Sequence, residues 1–208
     1  EFNRKFKINP TCILNPFYRF NLSKKINNIK NKKKYKKNLN ILTIGRLTDQ
    51  KDHVTLVNAA KLLNPLLRPK IKIIGKGVNY NNLKKLIYEN NLTDIVKLEG
   101  YKDKAYSYIK NTDIFVLTSR YEGLPNVLLE AQYFKKYIIS TDCPTGPSEI
   151  LLNGRAGDLI KMGDHKKLAK LINDFPKHKK KKLQMVKIGF NYLKRYDFNA
   201  NCIKYLNF

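Results

Sequence analysis

The chain has no tryptophan, only three cysteines, and 16 acidic residues against 42 lysines and arginines. Cys12, Cys143 and Cys202 are odd in number and widely separated, which argues against a disulfide framework or a cysteine-built metal cluster. They favour a reducing, cytoplasmic compartment. No apolar run approaches the ~20 residues required to span a bilayer. His53, His165 and His178 have no ligand spacing and read as surface residues. There is no Asp-x-Asp pair to hold a divalent metal on a diphosphate, no P-loop and no Gly-x-Ser-x-Gly. Gly75-Lys76-Gly77 is followed by Tyr80 where a dinucleotide fingerprint carries its third glycine, so a nicotinamide cofactor is disfavoured. Neither a metal nor a cofactor is implied.

What is abundant is positive charge, +26 net. Such a balance ordinarily suggests nucleic acid or an anionic membrane. Here the lysines are accompanied by many asparagines, isoleucines and tyrosines, a bias expected of AT-rich coding sequence, and they are spread along the chain. Two runs stand out, residues 32–37 and 177–182. Charge runs are usually solvated linkers or helix faces. These two are the candidates for peripheral contact with an anionic membrane or a polyanion, and no nucleic-acid recognition motif accompanies them.

At 208 residues the chain can bury one full core. The opening Glu1-Phe2-Asn3-Arg4-Lys5-Phe6 resembles neither a signal peptide nor a start, which fits a piece of something longer. From Asn38 onward short apolar runs alternate with amphipathic segments. Strands are expected over residues 39–44, 70–74, 95–98, 113–117, 137–140 and 158–160. A helix over 51–63 carries Leu56, Val57, Ala60 and Leu63 on one stripe and ends at Pro65; another over 79–90 turns Leu83, Leu86 and Ile87 inward. Helices of ~10 residues between strands favour parallel pairing with right-handed crossovers. The fold class is therefore α/β, a Rossmann-like open parallel sheet with helices on both faces. Residues 1–37 hold one short apolar piece and a Lys/Asn-rich linker. Residues 178–208 form one or two helices with Leu183, Val186, Phe190, Leu193, Ile203 and Leu206 as the apolar side.

In an open parallel sheet, ligands bind beyond the carboxyl ends of the strands. Four groups fall there. Gly45-Arg46-Leu47 with Lys51 offers a glycine turn and two cations, Arg46 as a planar fork and Lys51 as a point charge, both suited to a diphosphate. Gly75 and Gly77 permit close backbone approach. In the run Ser119-Arg120-Tyr121-Glu122-Gly123-Leu124-Pro125-Asn126-Val127-Leu128-Leu129-Glu130-Ala131, Pro125 opens a helix whose free N–H groups at Gly123, Leu124 and Asn126 attract an anion. Glu122 and Glu130 bracket that anion site and can accept from hydroxyls. The fourth group, Asp142-Cys143-Pro144-Thr145-Gly146-Pro147-Ser148-Glu149-Ile150, is a rigid Pro/Gly loop and a further helix start.

With these groups in this order, residues 41–171 resemble the C-terminal, donor-binding half of the retaining family 4 glycosyltransferases, whose GT-B fold sets two Rossmann-like domains face to face. The resemblance implies that Arg46 and Lys51 hold the donor diphosphate, and that Gly45, Gly75 and Gly77 line the nucleotide loops. It further implies that Glu122 contacts the donor sugar and Glu130 the ribose hydroxyls, with backbone groups from Gly123 to Asn126 on phosphate and sugar. The wording Glu-Gly-Leu-Pro-Asn looks most like members that build surface polysaccharides or lipid-linked oligosaccharides from a UDP-hexose or UDP-N-acetylhexosamine. The implied partners are that donor and a glycan or lipid-linked acceptor. The implied organisation is a crossover remnant and linker over 1–37, a nucleotide-sugar-binding domain over 38–177, and C-terminal helices over 178–208. Two departures stand beside it. Almost nothing precedes Cys12-Ile13-Leu14-Asn15-Pro16, so the acceptor-binding domain is missing and this piece is expected to be inactive alone. Gln50-Lys51-Asp52 stands where many members have Lys-Gly. The alternative is a non-catalytic nucleotide-sugar or polyanion-binding remnant.

Overall fold

The computed structural model describes Leu14, residues 38–103 and residues 105–207. The expected crossover piece around residues 12–16, Leu14 apart, and the run over 32–37 lie outside the described residues.

Six strands, β1 (Leu39–Ile44), β2 (Pro69–Ile74), β3 (Val96–Gly100), β4 (Ile114–Leu117), β5 (Tyr137–Thr141) and β6 (Asp158–Ile160), form one sheet in the order β3-β2-β1-β4-β5-β6. Every pairing is parallel. Chain order reverses between β1 and β4, and their loops diverge there to opposite sides, leaving a crevice at the carboxyl edge. The central strands β4 and β5 are buried throughout because both faces are covered, whereas β2 and β3 alternate buried apolar residues with Lys and Glu. Ile41, Ile73, Val116 and Ile139 join one buried cluster with α1 (His53–Ala60), α2 (Tyr80–Glu89) and α6 (His165–Asn173). Phe115, Leu117 and Ile138 alternate with them, are equally buried and lie outside that cluster. The α4 helix (Asn126–Tyr133) packs against β4 and β5. The fold thus matches the expected Rossmann-like α/β sheet.

Several boundaries differ from expectation. The first helix begins only at His53, because residues 49–51 wind as a 3-10 turn and Asp52 takes a left-handed conformation, φ 43° and ψ 49°. It ends at Ala60, and Pro65 opens a separate 3-10 turn capped by the Asn64 side chain. A short helix, α3 (Tyr106–Lys110), stands in the β3–β4 connection where none was expected. Pro125 is the N-cap of α4 with φ −74° and ψ 91°, so the first helical residue is Asn126. A four-residue turn, α5 (Pro147–Ile150), follows β5.

The C-terminal helices are α7 (Lys179–Tyr192) and α8 (Phe198–Leu206). Their apolar side matches expectation only in part. Val186 and Leu193 are buried as expected, but Leu183, Ile203 and Leu206 are exposed, and Lys182, Met185 and Gly189 are buried on α7. The cause is a buried salt bridge: Lys182 Nζ and Tyr137 Oη both donate to Asp158 Oδ2, and the Lys182 ammonium lies 4.8 Å from the Tyr137 ring centroid. Tyr137 is stacked in turn on Phe175 at 5.3 Å. Burial first, then the bond to Asp158, pushes the Tyr137 phenol well up. Of residues 177–182, Lys182 alone is buried. The segment from Tyr192 onward belongs to a second compact unit, with Leu193 and Tyr196 buried and Asp197 capping α8. Among the described residues no helix is long and apolar enough to cross a membrane.

Candidate functional site

The strand-end loops are locked to one another before any ligand is considered. Gly45 N donates to Ile74 O, Leu47 N to Lys76 O and Asn79 N to Leu47 O, so the loops after β1 and β2 run together. Glycine is required for that approach: a Cβ on Gly75 would stand 1.8 Å from Gly45 O, and one on Gly77 2.4 Å from Leu47 O. These two glycines are therefore spent on loop-to-loop packing, a role that reading them as ligand-facing turns had not anticipated.

The lysine of the first loop reaches across the switch point. Its aliphatic stem lies over Gly45, where a Cβ would sit 3.3 Å from Lys51 Cγ and Cδ. Lys51 Nζ then meets Glu122 Oε1 at 2.5 Å, and Ser119 Oγ donates to the same oxygen at 2.6 Å. Both ion-pair side chains are mostly buried, 15% and 7% exposed. The left-handed Asp52 supplies the turn that glycine supplies in a Lys-Gly sequence; Asp tolerates this conformation better than most residues. Asp52 Oδ2 accepts from Thr55 Oγ1 at 2.8 Å and lies 3.7 Å from Arg120 Nε. Gln50 stitches the two loops further: its carbonyl accepts from Arg120 N, its amide donates to Tyr121 O, and its Oε1 accepts from exposed Arg46.

The loop carrying Glu122 is buttressed by the loop after β5. Thr145 Oγ1 donates to Glu122 O, Thr141 Oγ1 donates to Ser119 O at 2.5 Å, and a Cβ on Gly146 would meet Gly123 O at 2.1 Å. Gly123 itself faces open space, with nothing within 4 Å of a Cβ built there. Among the described residues the amides of Gly123, Leu124 and Asn126 have no backbone acceptor. They lead into and open α4, whose first residue is Asn126, next to the Lys51–Glu122 pair, an arrangement that favours an anion.

Glu130, one turn into α4, is half-buried, and among the described residues its carboxylate has no hydrogen bond or ion pair. Burial raises its pKa to about 7. The Tyr106 phenol is shifted up by burial first and then by the Glu130 charge. His53 is not at the surface as expected: it is 3% exposed and held neutral down to about pH 4, by burial and then by the nearby Lys51 charge.

Thus Gly45, Lys51, Glu122 and the Gly123–Asn126 loop converge, Arg46 joins them through Gln50, and Glu130 lies further along α4. Ser119, Thr145 and Gln50 lie within the runs quoted above but carry no role there, and Thr141 lies outside them; the sequence signal for a support is a hydroxyl three residues before Glu122. Among the described residues no group of three or more His, Cys, Asp or Glu side chains is placed to hold a metal. A cavity of about 360 Å³ lined by Asn40, Leu42, Lys70, Lys72 and Tyr108 opens near the first residues of β1 and β2, away from this constellation.

Residues 24–192 match the family described as Glycosyl transferases group 1. An uncharacterized glycosyltransferase of Methanocaldococcus jannaschii is 38% identical over 118 residues, 56% of this chain and 29% of that protein. The N-acetylgalactosamine-N,N'-diacetylbacillosaminyl-diphospho-undecaprenol 4-alpha-N-acetylgalactosaminyltransferase of Campylobacter jejuni is 34% identical over 122 residues, 59% of this chain and 33% of that protein. The matched regions are thus about a third of these relatives' length. Among solved structures, Anabaena HepE in complex with UDP superposes with a TM-score of 0.76 at 20% identity, over 82% of this chain and 48% of that one.

Proposed function

The chain belongs to the glycosyl transferases group 1 family, and from that premise we propose that it is the C-terminal, donor-binding half of a retaining family 4 glycosyltransferase. The donor is a nucleotide sugar, UDP-linked, carrying a hexose or N-acetylhexosamine. The acceptor is a glycan or a lipid-linked glycan. Residues 38–177 form the donor domain, 1–37 the remnant of the crossover and linker, and 178–208 the C-terminal helices.

The observation that carries this reading is the meeting of Lys51 and Glu122 at the switch point, beside the Gly123, Leu124 and Asn126 amides that among the described residues have no backbone acceptor. A diphosphate placed there meets a lysine, the Arg46 guanidinium and a helix N-terminus. Hydroxyl groups on either side of it meet two carboxylates: Glu122 for the sugar and Glu130 for the ribose. As the glycosidic bond to the diphosphate breaks, negative charge grows on the leaving oxygens, and Lys51, Arg46 and the helix start stabilise it electrostatically. Retention by front-face attack requires no protein nucleophile, and none is assigned. The UDP named with HepE and the undecaprenol-linked glycan named for the Campylobacter relative support the donor and acceptor classes.

The donor site is tested by binding. Calorimetric titration with UDP and with GDP is expected to give saturable binding that favours UDP and that Glu130→Ala abolishes. No binding by this chain, and none by a longer chain carrying the facing domain, would overturn the proposal. A polyanion-binding remnant is disfavoured by the family match over residues 24–192.

A further inference from the structure

Glu122 is held asymmetrically. Its Oε1 accepts two hydrogen bonds, from Lys51 Nζ at 2.5 Å and Ser119 Oγ at 2.6 Å. Among the described residues its Oε2 has no partner. Ser119 is fully buried, and its own carbonyl accepts from the buried hydroxyl of Thr141 at 2.5 Å. The carbonyl of Glu122 accepts from Thr145 Oγ1. The backbone of this glutamate is therefore held from the loop after β5 and its Oε1 from Lys51 and Ser119, while the other carboxylate oxygen stays open.

We infer that Ser119 is a positioning residue for donor-sugar recognition: it pins Glu122 Oε1 so that Oε2 is presented to a sugar hydroxyl. The inference rests on the reading of Glu122 as the sugar contact. Its force comes from what a diphosphate does to Lys51. Lysine is a point charge on a flexible stem, and an arriving diphosphate competes with Glu122 for its ammonium. To the extent that Lys51 turns to phosphate, Oε1 keeps only the Ser119 donor. A carboxylate with no remaining donor would rotate about its side-chain bonds and offer either oxygen, or neither, to the sugar. A hydroxyl on a short, fully buried side chain cannot follow the phosphate and holds the orientation through that exchange, because the Ser119 backbone just beyond β4 is itself fixed by the Thr141 hydroxyl on its carbonyl.

The role makes a prediction that general structural support does not. Ser119→Ala should weaken the sugar's share of donor affinity and leave the diphosphate's share intact. The experiment titrates the wild-type chain, Ser119→Ala, Glu122→Gln and the double variant with UDP, UDP-glucose and UDP-N-acetylglucosamine, and records the melting temperature of each. The wild type is expected to bind at least one UDP-sugar more tightly than UDP. Ser119→Ala should lose about tenfold toward that UDP-sugar, the scale of a hydrogen bond to a charged group. Its affinity for UDP should stay within about twofold, well under the ~1.4 kcal/mol of a tenfold change. In the Glu122→Gln background Ser119→Ala should add little, because the orientation it protects is gone. Equal losses toward UDP and UDP-sugar, losses that add to those of Glu122→Gln, or no loss at all would overturn the assignment of Ser119 while leaving the donor site standing. A wild-type chain that binds UDP but gains nothing from either sugar overturns the sugar role of Glu122 and this inference with it. One that binds neither UDP nor UDP-sugar overturns the underlying reading.

Discussion

Lys51 Nζ and Glu122 Oε1, 71 residues apart in the chain, lie 2.5 Å from each other across the reversal of strand order between β1 and β4. Each side chain is mostly withdrawn from water, so each charge depends on the other. Removing one partner leaves the other buried and uncompensated, the costly case for an ion pair.

Lys51→Met or Glu122→Gln should therefore each destabilise the fold by about 3 kcal/mol, whereas the double variant should cost clearly less than the sum. Urea unfolding of the four proteins measures this. Strict additivity would mean that the pair is not energetically coupled.

Glycine substitutions should split sharply. Gly75→Ala drives a methyl to 1.8 Å from Gly45 O, at a φ of +152° that side chains rarely adopt, and Gly146→Ala drives one to 2.1 Å from Gly123 O. Both should lose roughly 3 kcal/mol or more, as overpacking combined with backbone strain does. Gly123→Ala meets open space and should melt within about 3 °C of wild type, a shift of under ~1 kcal/mol.

Within the lysine run of α7, position decides the effect. Lys182→Ala removes the buried partner of Asp158 and should cost about 3 kcal/mol. Lys179→Ala, Lys180→Ala and Lys181→Ala, all exposed, should each fall within about 0.5 kcal/mol. Thermal or urea unfolding of the set distinguishes the one from the three.

Two titrating groups act in opposite directions with pH. Glu130, raised from 4.5 to about 7, binds its proton more tightly when folded. Its contribution is full below pH 4.5 and declines as pH rises toward 7. His53, lowered from 6.5 to about 4, binds its proton less tightly when folded. Its contribution is full above pH 6.5 and is lost as pH falls toward 4. The slope of unfolding free energy against pH over this window should therefore become more positive in Glu130→Gln and less positive in His53→Gln. Urea unfolding from pH 4 to 7.5 provides the slopes; unchanged slopes would contradict the two environments.

The six strands were legible for two reasons: β1, β4 and β5 are rich in β-branched and aliphatic residues, as strands covered on both faces require, whereas β2 and β3 alternate apolar residues with Lys and Glu. The five-residue α3 was not, since Tyr106 to Lys110 is too short to show a period. The place of Lys182 on the buried side of α7, beside the expected Val186, is hidden in the sequence for a different reason. Lys182 sits among exposed lysines, and only Asp158 and Tyr137, brought up by β6 and β5, distinguish it. At the site, residue types with intrinsic chemistry were visible: Lys51, Arg46 and the two glutamates of the motif. Their supports were not, because a serine, two threonines and a glutamine become supports only through partners far away in sequence. The burial of His53 likewise follows from Asp52, whose left-handed turn sets the start of α1, and no spacing rule reports that.

The glycines after β2 have one further consequence. Because Gly75 and Gly77 press directly on the backbone of Gly45 and Leu47, the first two loops behave mechanically as a single part with a shared interface of main chain. A change in the path of one of these loops cannot then be made without the other. They must be exchanged together as one cassette, and because Gln50 and Lys51 bond to Arg120 N, Tyr121 O and Glu122 Oε1, that cassette also has to be matched to the loop that carries Glu122.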